Sequence, residues 1–428
     1  MITTTSFGGQ RSMNSIQEPV ILSRANLRTV SFAIGFPLGA SYEPVPGISK
    51  VLASHMTRNT AKHDELLFAD LVDRYGIEVY GESGRTSMIY TFTAPPQHLS
   101  KAVEILREVL LEPKFDQATI GKITQRMHGS IQQIRSTPES LLNEYTRWEV
   151  GYGEDPIIKH PNGNDESLET ITVEEMEKWY KTLISYKPFF AAVGQDISQQ
   201  KFSQAGLDDL LSSFGNQEQT QSPVSPSTNE YAMKLDTPNI PTSNAYIGLN
   251  IRGSDPKGNV YEEDLFRSII SGGMSARMFN EIREVRNLSY APRMSVNKFT
   301  NGSYYTAMMD VRPDRSVEAL ETTIKLINDV ITTKIPDDEM NRALKGAQRI
   351  AVFVSDSSQT YTGFILGKLL TQQEYDLTKI KAGIDEAAHS DWQEKIAKLW
   401  IPKNISLAVT GEAGDVSKVW DEKIREVV

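Results

Sequence analysis

Residues 214–229 read FGNQEQTQSPVSPSTN, a run dominated by Ser, Gln and Pro that offers almost nothing to bury. Such composition predicts an extended, flexible linker. It falls midway along a chain of 428 residues, a length that by itself favours two domains of about 200 residues each. The linker therefore divides the chain into 1–213 and 230–428.

The same order of signals recurs on both sides of it. Residues 18–38 and 77–94 read as strands, the latter stopping at Pro95-Pro96, and helices are expected over 48–57, 64–75, 98–110, 116–135, 139–148, 172–184 and 198–213. Residues 188–193 form a strand that closes on Gly194. After the linker, 242–252 form a strand that reaches Gly253, as the first strand run reaches Gly39. The strand 303–312 stops at Pro313-Asp314, helices follow over 317–331 and 336–350, and the strand 405–410 closes on Gly411. Gly39 and Gly253 lie 214 positions apart, Pro95 and Pro313 lie 218 apart, and Gly194 and Gly411 lie 217 apart. Three near-equal offsets in order predict two copies of one α+β domain, each a mostly antiparallel sheet with packed helices.

Composition narrows the function classes. An apolar fraction of 39% with 23% charged residues belongs to a folded soluble chain. A net charge of -10 argues against a nucleic-acid binder. Cysteine is absent, which removes disulfides, thiolate metal sites and cysteine nucleophiles. The N-terminal MITTTSFGGQRSM carries no basic-then-apolar signal pattern, and no run is apolar enough to span a membrane. The expectation is a soluble chain, cytoplasmic or periplasmic. The six histidines, His55, His63, His98, His128, His160 and His389, include no pair at a spacing of three or four. They therefore read as scattered structural residues rather than zinc ligands. Gly272-Gly273-Met274-Ser275 lacks the lysine and spacing of a phosphate loop, and no G-x-S-x-G occurs.

One segment of the second copy stands out. Ser271–Tyr290, SGGMSARMFNEIREVRNLSY, begins as a small-residue turn and becomes a helix near Ala276, with Met278, Phe279, Ile282 and Val285 at helical spacing. Arg277, Arg283 and Arg286 take much of the remaining surface.

With these residues in hand the chain resembles the M16 family of zinc metallopeptidases, the pitrilysin and mitochondrial processing peptidase group, over about residues 15–425. The fold implied is a pair of M16 / LuxS-like metallohydrolase domains. The family's zinc motif reads Gly-x-x-His-x-x-Glu-His after a Gly-x-x-x-Glu lead-in. Here the lead-in survives as Gly39–Glu43, but the two zinc histidines correspond to Lys50 and Ser54, and the general-base glutamate to Ala53. The third ligand, a glutamate eight residues before a proline turn, corresponds to Ser130 before Pro138. Hydrolysis of this type needs a metal to polarise the carbonyl and a carboxylate to deprotonate water. The resemblance thus implies a chain with no cofactor of its own and no autonomous peptidase activity.

In active members an arginine and a tyrosine of the C-terminal half, in a pattern like S-x-R-L-F-x-x-L-R-x-x-x-x-L-x-Y, reach the active site and hold the developing oxyanion. Ser275, Arg277, Phe279, Arg283, Leu288 and Tyr290 follow that pattern, including its seven-residue Arg–Tyr spacing. The resemblance implies the non-catalytic subunit of a bacterial heterodimer. A homologous subunit with an intact HxxEH motif would carry zinc, and this chain would lend Arg283 and Tyr290 and half of a chamber for short unfolded peptides. The alternatives are a structural scaffold, like the core proteins of the bc1 complex, and a peptide-binding homodimer without proteolysis.

Overall fold

The computed structural model describes residues 18–219, 232–238, 242–253, 260–300 and 302–423. The first half builds one five-stranded sheet from β1 (Val20–Ser23), β2 (Val30–Phe36), β3 (Glu78–Ser83), β4 (Met88–Ala94) and β5 (Phe189–Gly194), in the order β1-β5-β2-β4-β3. The second half builds another from β6 (Ala232–Asp236), β7 (Ala245–Arg252), β8 (Arg293–Phe299), β9 (Gly302–Val311) and β10 (Ile405–Thr410), in the order β6-β10-β7-β9-β8. The second order is the first shifted by five. In each sheet only the outermost pair, β1 with β5 and β6 with β10, runs parallel. All other pairings are antiparallel. The internal repeat and the α+β class are therefore both present in the fold.

The burial of β2 explains its continuous VSFAIGF sequence, since all seven residues are buried. A strand covered on both faces loses the apolar–polar alternation of a half-exposed one. Phe32, Ile34 and Phe36 point into the main core beneath the helices of the first half, where Phe32 stacks on Phe92 and meets Phe190 and Phe202. Ala33 points the other way, under a helix that belongs to the second half.

That helix, Ser358–Leu370, lies across the outer face of the first sheet. A Cβ on Gly35 would come within 3.0 Å of the Leu370 side chain, so glycine permits this close approach. Thr362 donates its hydroxyl to the Ser31 carbonyl at 3.0 Å, and the Thr29 and Ser358 hydroxyls are 2.7 Å apart. The exchange is reciprocal. Residues Pro138–Tyr152 of the first half cover the outer face of the second sheet, with Leu142 and Val150 against Met308 and Ala408. Trp148 and Tyr152 pack on Phe299 and Tyr304. Arg147 donates to Thr306 Oγ1 at 3.2 Å and to Asn297 Oδ1 at 3.0 Å. Each half thus lends one helical segment to the other half's sheet, and the two copies are interlocked.

Three local expectations change. Phe214 is buried in the first core, Gly215 donates to the Ile184 carbonyl and Gln217 pairs with Tyr186. The segment expected to begin the linker is therefore docked as far as Gln217, by the buried Phe214 ring and by backbone hydrogen bonds to the end of helix Val173–Ser185; 220–229 lie outside the described residues. The helix expected over 198–213 is two short helices, Gln199–Gln204 and Leu207–Ser212, broken where Gly206 takes φ +93°. The helical run expected over 139–148 extends from Pro138 to Tyr152 through a wider turn at Leu142–Thr146. Among the described residues no helix is long and apolar enough to cross a membrane.

Candidate functional site

Helix Ile48–Met56 carries three of the four positions at which the zinc chemistry would stand. Its start is held by Glu43, a buried carboxylate that accepts from the Gly47 and Ser49 backbone amides, the latter at 3.0 Å. Burial pushes the Glu43 carboxyl up to about 7, and the two amide hydrogen bonds offset part of that rise. Gly47 takes φ +92°, and Trp179 Nε1 donates to Ser49 Oγ at 3.0 Å. The conspicuous lead-in Gly39–Glu43 is thus a brace that fixes where this helix begins.

Lys50 stands half-buried on that helix and donates its ammonium to Asn162 Oδ1 at 2.6 Å. Burial holds it below the usual lysine range, partly countered by the nearby carboxylates of Glu82 and Glu144. Ala53 is fully buried beneath β3. A Cβ on Gly81 of that strand would lie 2.3 Å from the Ala53 carbonyl oxygen, so strand and helix touch backbone to backbone. Ser54 is half-buried, and its carbonyl accepts from the Thr57 hydroxyl at 3.2 Å.

Ser130 stands on the helix that packs against Ile48–Met56. It is exposed on helix Gln117–Ser136, and its hydroxyl turns back to the Arg126 carbonyl at 3.1 Å. The inward face of that helix is Ile120, Ile123, Met127 and Ile131, an apolar stripe at helical spacing. His128 pairs with Asp165 at 2.7 Å. His55 is buried edge-on against Phe115, with Nε2 3.7 Å from Asp116. Among the described residues no three His, Asp or Glu side chains converge as a metal site. Lysine, alanine and two serines are not a zinc donor set, and a lysine ammonium at a ligand position repels a cation. The residues present do not fit the family's metal.

In its place lies an open cleft of about 460 Å³, lined among others by Lys50, Ser83, Asn143, Glu144, His160 and Asn162. Its far wall is organised by Arg85, whose guanidinium donates to the carbonyls of Ile157, Ile158 and Lys159 at 2.8–3.1 Å and of Glu144 at 2.6 Å. The same group lies 4.3 Å over the Trp148 ring. Burial lowers Arg85 to about 10. His160 Nε2 lies 3.1 Å from Glu144, which pulls that carboxyl below the usual range, while Tyr145 stacks on the imidazole. Sequence reading missed Arg85, Glu144 and Asn162. Arg85 meets Glu144 across 59 residues of chain, Glu144 meets His160 across 16 and Asn162 meets Lys50 across 112, and no local pattern signals such contacts.

Arg283 and Tyr290 come together on the second half. The Arg283 guanidinium lies 4.3 Å over the Tyr290 ring and 4.6 Å over the Phe279 ring, a cation held between two aromatic faces. Tyr290 is 73% exposed. The backbone is wound wider than an α-helix over Phe279–Val285, with the Arg286 amide donating to the Glu281 carbonyl five residues back. Asn287 then takes φ +49° and turns the chain toward Tyr290. The segment is anchored beneath by buried Met278, Ile282 and Leu288 and by a two-pronged Arg277–Glu339 pair at 2.7 and 3.1 Å. Val285, expected on the apolar face, is exposed because the wider turn rotates it outward. No hydrogen bond or ion pair among the described residues joins Arg283 or Tyr290 to the cleft at Lys50.

Two interlocked sheets with the same strand order, and a first helix whose Lys50, Ala53 and Ser54 do not fit a zinc site, are the features of a two-domain metallopeptidase fold without its metal ligands at those positions. A model of the peptidase M16 inactive domain matches residues 170–347, and one of insulinase, peptidase family M16, matches residues 20–152. The chain belongs to the M16 peptidase family. A non-peptidase homolog, YmxG, of Helicobacter pylori is 18% identical over 379 residues, 87% of either chain. An uncharacterized zinc protease of Bacillus subtilis, also YmxG, is 20% identical over 83% of this chain and 88% of its own. A solved peptidase M16 inactive domain from Pseudomonas fluorescens superposes with a TM-score of 0.79 at 15% identity, over 92% of this chain and 95% of that one. A protease from Helicobacter pylori gives 0.82 at 14% identity over 91% and 96%. At such identities these structures speak for the fold alone.

Proposed function

We propose that this chain is the non-catalytic subunit of a two-chain M16 zinc peptidase. It lends Arg283 and Tyr290 to the zinc site of a homologous subunit with an intact HxxEH motif, and with it encloses short unfolded peptides. The observation that carries the reading is the pairing of half-buried Arg283 with exposed Tyr290, ring to guanidinium at 4.3 Å, on a turn anchored by buried side chains. A guanidinium and a phenol fixed side by side suit a peptide carbonyl that becomes an oxyanion. Half-buried between the two rings, Arg283 has among the described residues no ion pair except with its neighbour Glu284 at 3.3 Å, which leaves donors for a partner's substrate. The outer edge of β3, beside helix Ile48–Met56, offers unpaired backbone groups for peptide β-addition.

The test mixes this chain with a homologous chain that carries the intact motif, and measures zinc content and cleavage of an unstructured peptide. This chain alone is expected to bind no stoichiometric zinc and cleave nothing, whereas the mixture cleaves. A partner fully active by itself, and unchanged on adding this chain, would overturn the reading.

A further inference from the structure

The cleft over helix Ile48–Met56 holds a cation, Lys50, that no carboxylate among the described residues neutralises by contact. Lys50 Nζ has a single hydrogen-bond partner among the described residues, the neutral amide of Asn162 at 2.6 Å, and no carboxylate within 4 Å. An ammonium carries three donors, so two remain for the cleft. The acidic groups that line the same space are already engaged. Glu144 faces His160 at 3.1 Å, and Glu139 pairs with Arg293 and accepts from the Tyr246 hydroxyl at 3.2 Å. The Asn143 amide and the Ser140 hydroxyl also line the cleft, and neither side chain is paired within the described chain. The groups left unpaired, Lys50, Asn143 and Ser140, are therefore chiefly donors, with the Glu82 and Glu144 carboxylates acting on Lys50 from beyond contact distance. That is a site for an anion, and a planar carboxylate suits it because two oxygens can share one ammonium and a neighbouring amide.

The surroundings select which carboxylate. Ser83, the last residue of edge strand β3, lies in the same lining, so a peptide added parallel to β3 would run its C-terminal end into the cleft at Lys50. We propose that the cleft of Lys50, Asn143 and Ser140 binds the free C-terminal carboxylate of a short peptide seated on β3. Where a metal would polarise a carbonyl in the middle of a peptide, Lys50 instead holds a peptide by its end. The inference rests on the peptide-chamber reading above but not on the partner subunit, so each can fail separately.

The test uses the full chain without any partner. A fluorescently labelled, unstructured ten-residue peptide is titrated as the free acid and as the C-terminal amide, against wild type, Lys50→Met and Lys50→Arg. Wild type is expected to bind the acid about tenfold or more tightly than the amide, one charge-assisted hydrogen bond being worth at least that much. Lys50→Met is expected to lose the preference and Lys50→Arg to keep most of it. Equal binding of acid and amide by wild type, no binding of either, or a preference that survives in Lys50→Met would overturn the proposal. Displacement of the acid peptide by millimolar acetate would overturn its peptide part and leave a simple anion site.

Discussion

Glu43 shows how a residue that looks like part of a motif acts through physical chemistry alone. Its carboxylate is buried and caps the Gly47–Ser49 amides, and burial raises it from 4.5 to about 7. A carboxyl raised on folding holds its proton longer in the folded chain than in the unfolded one. Its contribution to stability is full below about pH 4.5 and is lost as pH climbs through about 7. Glu43→Gln removes the titration while keeping one acceptor for the amides. The stability difference between pH 5 and pH 7.5, read from denaturant unfolding, should shrink by roughly 2 kcal/mol relative to wild type. Parallel pH profiles for the two proteins would contradict this. Lys50, Ala53 and Ser54 were legible as losses from the sequence because they fall in one short helix after an intact lead-in. Ser130 is placed by counting back from a proline, which gives its position along the helix but not which way its side chain faces. Its exposed hydroxyl and the neighbouring apolar stripe follow from the helix's own period.

At the scale of elements, the contact between β3 and helix Ile48–Met56 sets the depth of the cleft. Gly81 is the residue that allows it, since any Cβ there would strike the Ala53 carbonyl and come 2.9 Å from Thr57 Cγ2. Gly81→Ala is expected to destabilise the chain by about 1–3 kcal/mol, the range for forcing an extra methyl into a packed contact. Thermal unfolding measures it, and a change within error would mean that strand and helix are not held so closely. Most helices and the central strands were readable from period and from the Gly and Pro that end them. The wide turn of Phe279–Val285 was not, because MFNEIREV has the spacing of an ordinary helix and only the hydrogen bond from Arg286 to Glu281 reveals the extra residue. That extra residue turns Val285 outward and leaves Arg283 between two rings.

The whole molecule is two copies that complete one another. The repeat was visible in the spacing of its glycines and prolines, but the exchange of helices was not. Helix Ser358–Leu370 carries apolar residues on much of its surface, and nothing local says that they meet the other half's sheet. The interlock predicts a single cooperative unfolding transition for both halves. Leu366→Ala, which empties buried volume between helix Ser358–Leu370 and β2, should lower stability by about 2–5 kcal/mol without splitting that transition. Two separate transitions in calorimetry would show that the halves fold independently. Such coupling also matters for function, because it holds the Arg283 turn and the Lys50 cleft on one body that a partner could close against.

The central claim is that this body lends Arg283 to another chain's chemistry. The most direct measurement is kcat/KM for peptide cleavage by the reconstituted pair with Arg283→Ala in this chain, alongside the affinity of the two chains for each other. The account predicts a fall of about 10²–10³-fold, as for loss of one oxyanion donor, with association and the partner's zinc content unchanged. Undiminished kcat/KM in a fully assembled pair would contradict it.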